Sequence, residues 1–229
     1  IIKIIIQGVI LLNLPDFSKI VEFISLGGPM AIPLLIASIL SLAVIIEKII
    51  FFARHKDNSF RLIKRIEMKV DEGDIMGALS ELKGKKGPNA KLLSTALTHH
   101  SEDPGRIREV LQAVGEDEIK KMEKHLAILD VIAMISPLLG LLGTVIGIIS
   151  SFNILGAAAG AADPTQISSG IAAALISTAL GLIIAIPTAV FYSYFTNKVE
   201  KKAHEMNLSM VDIMDVITTG REDDVQTYS

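Results

Sequence analysis

Hydroxyl side chains lie inside two long segments of this sequence that carry no charge. The segments are residues 131–162 and 167–195, and neither contains Asp, Glu, His, Lys or Arg. Each is longer than the roughly 20 apolar residues that a helix needs to cross the hydrocarbon core of a bilayer. Because no side chain in them carries a charge, a proton that moved along the two segments would need a titrating group from another chain.

Small and hydroxyl residues recur in both segments at steps of three and four, which places them on one face of each helix. Small residues let helix backbones approach closely, and Ser or Thr can hydrogen-bond across the contact. Candidates for helix packing or pore lining are Ser136, Pro137, Gly140, Gly143, Gly147, Gly170, Ala174, Gly181 and Pro187. Candidates for an ion pathway or a partner-facing surface are Thr144, Thr178, Ser151, Ser177 and Ala173.

Two interpretations of these faces are open. One is packing alone, which we favour for the glycines and alanines. For Thr144 and Thr178, which lie near the middle of their segments, we favour a hydroxyl offered to a wet path or to the side chain of a partner. Pro137 and Pro187 each free a backbone carbonyl inside the membrane, and that carbonyl needs a partner or water.

The composition predicts an all-α polytopic membrane protein with three transmembrane helices. Half of the 229 residues are hydrophobic, and a third charge-free segment, 23–46, ends at Glu47. The net charge of −3 gives no sign of a nucleic-acid partner, and the absence of cysteine excludes disulfides and thiolate metal sites. The sequence shows no nucleophile–base arrangement, so we expect neither enzymatic activity nor a bound cofactor.

Basic residues set the predicted topology. Lys and Arg cluster after the first span, before the second and after the third, whereas Asp163 is the only charge between the second and third. Positive flanks stay in the cytoplasm, so the N-terminus is expected outside and the C-terminus inside. The predicted segments are a periplasmic interfacial segment (1–22), a first transmembrane helix (23–52), a helical cytoplasmic insertion (53–129), a second transmembrane helix (130–156), a short periplasmic loop (157–166), a third transmembrane helix (167–195) and a C-terminal cytoplasmic helix and tail (196–229).

The insertion is predicted to be helical throughout. Asn58 or Ser59 can cap its first helix and Asp74 its second, and a third helix is predicted over 89–99. From Arg106 an apolar stripe continues into the second span, which predicts one uninterrupted helix. The second and third spans are therefore expected to extend well beyond the membrane.

Two acidic residues, Glu47 and Asp130, lie at the predicted cytoplasmic ends of the first and second spans. They could serve in ion exit, or they could pair between subunits with Lys48 or Lys124. The interpretation that we favour is a satisfied charge at the membrane interface.

Motifs in both charge-free segments resemble those of the MotA/TolQ/ExbB proton-channel family. Residues 137–147, Pro-Leu-Leu-Gly-Leu-Leu-Gly-Thr-Val-Ile-Gly, resemble the second-span signature of that family. The third-span signature is matched by Gly170-Ile171, Ala174-Leu175, Thr178-Ala179, Gly181-Leu182 and Ala185-Ile186-Pro187. The Ala-Ile-Pro motif and the compact insertion resemble the ExbB/TolQ branch more closely than the flagellar MotA branch.

The resemblance implies a homo-pentamer in the bacterial inner membrane. It implies that the pentamer surrounds the transmembrane helices of two copies of an ExbD/TolR/MotB-like single-span partner, whose helix carries an aspartate that is protonated and released as ions cross. Thr144 and Thr178 match the two pore-facing threonines of the family. The expected function is to convert the proton or sodium motive force into mechanical work on the cell envelope, such as energised outer-membrane transport.

One residue departs from the family pattern. ExbB and TolQ usually carry a glutamate three residues after the glycine of the Gly-Ile motif, where this chain has Ala173. This departure leaves sodium open as the translocated ion, because neutral oxygens suit a hard cation. The alternatives to a motor subunit are a passive membrane scaffold without ion flux and a stand-alone pore. The absence of an intramembrane ionisable residue argues against a stand-alone proton carrier.

Overall fold

The computed structural model describes residues 28–54, 59–85, 87–157 and 164–227, and only the backbone of residues 59–61 and 219–227. The predicted interfacial segment 1–22 lies outside the described residues, as do Asn58 and the centre of the loop at 158–163. Helices and turns make up the described part, which contains no strand and confirms the all-α fold. A 3₁₀ turn, Gly28–Met30, precedes the helices α1 Ala31–Arg54, α2 Ser59–Asp71, α3 Ile75–Leu82, α4 Pro88–Thr98, α5 Pro104–Glu123, α6 Leu126–Ala157 and α7 Pro164–Thr227.

Three described helical stretches are long and apolar enough to cross a membrane. They are Gly28–Arg54, Pro104–Gly156 and Pro164–Thr218. The second stretch joins α5 and α6, and the third comprises most of α7. The predicted polytopic architecture with three membrane helices is therefore confirmed.

The predicted uninterrupted helix from Arg106 into the second span is wrong. Helix α5 ends at Glu123 and α6 begins at Leu126, with Lys124 in a non-helical conformation (ψ 132°) between them. The next residue, His125, adopts the left-handed region at φ 66°, which few residues other than glycine occupy. An apolar stripe that continues on both sides of a break conceals the break, because periodicity reports which face is buried and not whether the backbone is continuous.

The chain divides into two compact units. Over the described residues, the apolar unit falls within Ile1–Ala43 and Ile128–Phe191, and the insertion unit falls within Val44–Ala127 and Tyr192–Ser229. The apolar unit contains the start of α1, most of α6 and the first part of α7. The insertion unit contains the end of α1, helices α2 to α5 and the rest of α7.

The insertion unit has a hydrophobic core built from short amphipathic helices. Helix α3 packs on α2 and α4, and α4 packs on α5. The predicted cap of α3 is confirmed, because the Asp74 side chain accepts a hydrogen bond from the Gly77 amide at 2.8 Å. Fully buried core residues are Ile66, Ala78, Leu93, Ala96, Leu97, Ile107 and Leu111.

Aromatic residues join the C-terminal end of α1 to α7 within the insertion unit. The rings of Phe52 and Phe195 stack with 5.9 Å between their centroids. Above them, the Lys198 ammonium lies 4.6 Å from the centroid of the Phe52 ring, within the range of a cation–π interaction.

Candidate functional site

Helices α6 and α7 approach so closely in the apolar unit that glycine is required at several positions. A Cβ on Gly140 would lie 2.9 Å from the Ser177 carbonyl oxygen and 3.0 Å from the Cα of Thr178. A Cβ on Gly143 would overlap the side chain of the same serine. Real Cβ atoms avoid such separations, so the two backbones are in direct contact at this level.

The contact continues toward the end of α6 and the start of α7. A Cβ on Gly147 would lie 2.7 Å from the Cβ of Ala174, and a Cβ on Gly170 would overlap the Ser151 hydroxyl. Ser151 is 4% exposed, and its hydroxyl lies 3.0 Å from the Gly147 carbonyl and 3.3 Å from the Ile167 carbonyl. The Ser151 hydroxyl therefore has carbonyl partners on both helices.

The same contact extends in the other direction, toward the beginning of α6. A Cβ on Gly181 would lie 2.5 Å from the Ser136 carbonyl oxygen. Ser136 is fully buried, and its hydroxyl donates to the Ile132 carbonyl at 2.7 Å. The predicted packing face is thus an interface between two helices of one chain.

The two threonines differ from these serines because both are partly exposed. Thr178 donates its hydroxyl hydrogen across the interface to the Gly140 carbonyl at 3.1 Å. Thr144 donates to the Leu141 carbonyl of its own helix at 2.6 Å. A hydroxyl has one hydrogen and two lone pairs, so while these two bonds are made, both threonines offer a further group only acceptor capacity. Their pore-facing role stays a prediction.

The remaining predicted residues of α6 and α7 have simpler surroundings. Ser177 is buried, with 1% exposure, and Ala173 is partly exposed and brings no polar atom. Pro137 and Pro187 lie inside helices that continue through them, and Pro187 is exposed. Among the described residues, no group of three or more His, Cys, Asp or Glu is placed to hold a metal ion.

The two predicted acidic residues fall in different units. In the insertion unit, a carboxylate oxygen of Glu47 lies 2.8 Å from Nδ1 of His125, and both side chains are partly exposed. Asp130 belongs to the apolar unit, near the start of α6, and is partly buried. Intersubunit pairing of Glu47 with Lys48 or Lys124, which the sequence left open beside the favoured satisfied charge at the interface, stays untested. Within the chain, the partner of Glu47 is His125.

Sequence reasoning missed the burial of Lys48. The Lys48 side chain is 1% exposed, and its ammonium donates to the Met122 carbonyl at 2.9 Å. A signal was present, because Val44, Lys48 and Phe52 recur at steps of four and all three are buried. A lysine on the buried face of an apolar helix must find a partner for its charge.

Comparison with known proteins identifies the family. Residues 84–208 match the MotA/TolQ/ExbB proton channel family. The chain is 33% identical over 171 residues to the ExbB-like 3 protein of Synechocystis sp., named for biopolymer transport, with 74% of this chain and 81% of that protein covered.

Further relatives carry the same designation. An ExbB homolog of Methanothermobacter thermautotrophicus is 29% identical over 216 residues, covering 91% of this chain and 76% of the homolog. The biopolymer transport protein ExbB of Salmonella typhimurium is 30% identical over 180 residues, with 73% and 72% covered. Together with the three apolar helices, these matches show that the chain is an integral membrane protein, and it belongs to the MotA/TolQ/ExbB proton channel family, on its ExbB branch.

Proposed function

We propose that this chain is the channel subunit of an ion-driven motor in the inner membrane. Together with a single-span partner, it converts the proton or sodium motive force into mechanical work on the cell envelope, such as biopolymer transport. One observation carries the proposal: the segments 131–162 and 167–195 contain no charged residue, yet each presents a partly exposed threonine oxygen.

The titrating group comes from the partner. Because an ionisable residue inside a membrane is costly, it is retained where it functions, and neither charge-free segment contains one. The proposed partner is an ExbD/TolR/MotB-like protein whose single span carries an aspartate. Two copies of it stand inside a homo-pentamer of this chain, facing α6 and α7.

The threonine oxygens favour the neutral form of that aspartate. Thr178 and Thr144 each give their hydroxyl hydrogen to a backbone carbonyl, so toward the partner they can only accept. A protonated carboxyl can donate to such an oxygen, whereas a carboxylate gains nothing from it. Hydrogen bonding to the neutral form, together with removal from water, raises the pKa of a carboxyl group. The aspartate of the partner is therefore held protonated until it moves to a position that is more exposed to water.

The alanine at position 173, where the family usually has glutamate, is compatible with either a proton or a sodium ion as the translocated ion. With alanine at this position, the chain adds no carboxylate of its own beside the partner. The hydroxyl and carbonyl oxygens of α6 and α7 would also suit a sodium ion, which prefers oxygen ligands. In this proposal the N-terminus is periplasmic, and the insertion 53–129 and the tail 196–229 are cytoplasmic.

The test is the substitution Thr178→Val, which preserves shape and removes the hydroxyl oxygen. We expect ion flux through the complex in liposomes to fall by about tenfold or more, the equivalent of one lost hydrogen bond to a buried polar group. The complex should remain assembled, and Thr178→Ser should restore flux because it restores the oxygen.

Thr188→Val is the matched control. Thr188 lies in the same helix, is 1% exposed and donates to the Ile184 carbonyl of its own helix at 2.7 Å. Its substitution should leave flux unchanged. Normal flux in the Thr178→Val complex would contradict the proposed role of the hydroxyl. A wild-type complex that conducts no ions would favour the passive scaffold, since close packing of α6 on α7 serves a scaffold equally well.

A further inference from the structure

The Lys48 side chain caps the C-terminal end of α5, a helix that is distant from Lys48 in sequence. Its ammonium donates to the carbonyl of Met122, which lies in the last turn of α5. The last four carbonyls of a helix have no partner within the helix. The break that follows at Lys124 denies Met122 the amide that a continuous helix would supply, and the buried lysine takes the place of that amide.

The residue next to Lys48 holds the other side of the break. The Glu47 carboxylate pairs with His125 at 2.8 Å, and His125 occupies the left-handed conformation at φ 66°. A non-glycine residue in this conformation is strained unless its surroundings hold it. Two adjacent residues of α1 thus contact the break. Lys48 binds the Met122 carbonyl before the break, and Glu47 binds the His125 side chain within it.

Burial of the Lys48 ammonium costs free energy, so stability alone does not explain why a lysine occupies this position. A buried ammonium loses its hydration, and a single carbonyl restores only part of it. Around Lys48, the described contacts of the ammonium are the Met122 carbonyl and the ring of Phe51, whose centroid lies 5.3 Å away. An apolar side chain of similar length would fill the same space without this cost.

We propose that Lys48 is a positioning residue for the ion pathway. Together with Glu47, it fixes the first residues of α6, the helix that carries Thr144, to the inner end of α1. Lys48, Met122, His125 and the start of α6 at Leu126 all belong to the insertion unit. This inference rests on the proposed function, because a fixed start of α6 matters only if its hydroxyls must meet a partner in register.

The test combines amide hydrogen exchange with ion flux for the full chain and its single-span partner. Lys48→Met keeps a long side chain and removes all three donors. The reporter is the Lys124 amide, which donates to the Lys120 carbonyl at 3.0 Å at the break. We expect this amide to exchange about tenfold faster in Lys48→Met, because a buried carbonyl loses its partner. Flux should fall as well, and Lys48→Arg should restore both.

Two further variants complete the design. Lys120→Met removes an equal charge from an exposed lysine in the last turn of α5, and it should leave flux unchanged. Glu47→Gln alters a partly exposed side chain without touching the core, so it remains informative if Lys48→Met fails to fold. We expect faster exchange at the break and reduced flux for this variant too, by a smaller factor.

The outcomes separate the two proposals. Unchanged exchange at Lys124 in the Lys48→Met and Glu47→Gln proteins would overturn the capping role. Faster exchange with normal flux would show a structural cap and overturn the positioning role. If the wild-type complex conducted no ions, the proposed function would fail, and the positioning role with it, whereas the exchange rates would still decide whether Lys48 caps α5.

Discussion

A half-buried carboxyl on α2, Glu67, links the stability of the insertion unit to pH. Burial raises the pKa of Glu67 above its ordinary value of 4.5, and the nearby carboxylates of Asp212 and Asp71 raise it further. Lys64 opposes these effects without cancelling them. The folded protein therefore holds this proton more tightly than the unfolded chain does.

The sign of the pH dependence follows from that difference. As pH rises above 4.5, the unfolded chain releases the Glu67 proton first, so the folded insertion unit loses stability until the folded carboxyl has also ionised. We predict that Glu67→Gln stabilises the unit at neutral pH and flattens this part of the curve. Amide exchange in α2 and α4 of the full chain in detergent, followed from pH 4.5 upward, measures it.

The control for this prediction is Glu72→Gln. Glu72 is an exposed carboxyl in the turn that follows α2, and its removal should leave the curve in place. Identical pH profiles for the wild-type and Glu67→Gln proteins would contradict the assignment of the pH dependence to Glu67.

Single residues also mark how far the sequence alone leads. Spacing locates Thr144 and Thr178 on the small-residue faces, and it identifies Asp74 as a cap. The acceptor-only state of the two threonines depends on the Leu141 and Gly140 carbonyls, whose positions arise only when α6 folds and packs on α7. Periodicity in the sequence carries no information about hydrogen-bond direction.

At the scale of elements, the contact between α6 and α7 explains why glycine recurs at these positions. We predict that Gly181→Ala destabilises the helix pair by about 1–3 kcal/mol, the usual cost of overpacking a tight interface. The added methyl group would lie 2.5 Å from the Ser136 carbonyl oxygen, a backbone atom that cannot move aside without shifting α6. Thermal unfolding of the full chain in detergent provides the measurement.

Gly156→Ala supplies the matched control for the same change. A Cβ on Gly156, near the end of α6, would have no atom within 4 Å. The substitution should be neutral or stabilising by up to about 1 kcal/mol, since alanine favours helix more than glycine does. Equal melting temperatures for the two alanine variants would contradict the close approach of α6 and α7.

Several helices were predictable from the sequence, whereas the break between α5 and α6 was not. Apolar spacing predicted a helix over 89–99, within one residue of α4 at each end, and the sequence also predicted the Asp74 cap of α3. The bounds predicted for the membrane segments stay predictions. The break at Lys124 and His125 was not predictable, because the residues that hold it, Glu47 and Lys48, come from α1. Local propensity cannot reveal a backbone conformation that is held by a distant helix.

At the scale of the whole molecule, the chain combines a helical insertion with an apolar unit. In the apolar unit, the small-residue faces of α6 and α7 already pack against each other. Glycines and serines of α6 and α7 contact one another, and the partly exposed threonines remain available to a further chain. Large apolar side chains such as Ile32, Met134, Phe152 and Leu175 are exposed on the apolar unit, as lipid-facing or subunit-facing residues would be. In the proposed motor, such a subunit would have its α6–α7 contact formed within one chain and would need a partner to complete the ion pathway.

Native mass spectrometry of the detergent-purified chain, alone and co-expressed with its single-span partner, tests the central claim most directly. The account predicts a homo-pentamer that takes up two copies of a partner whose span carries an aspartate. A monomer or dimer that does not bind such a partner would contradict the account, because no source would then exist for the titrating group that the two charge-free segments, 131–162 and 167–195, lack.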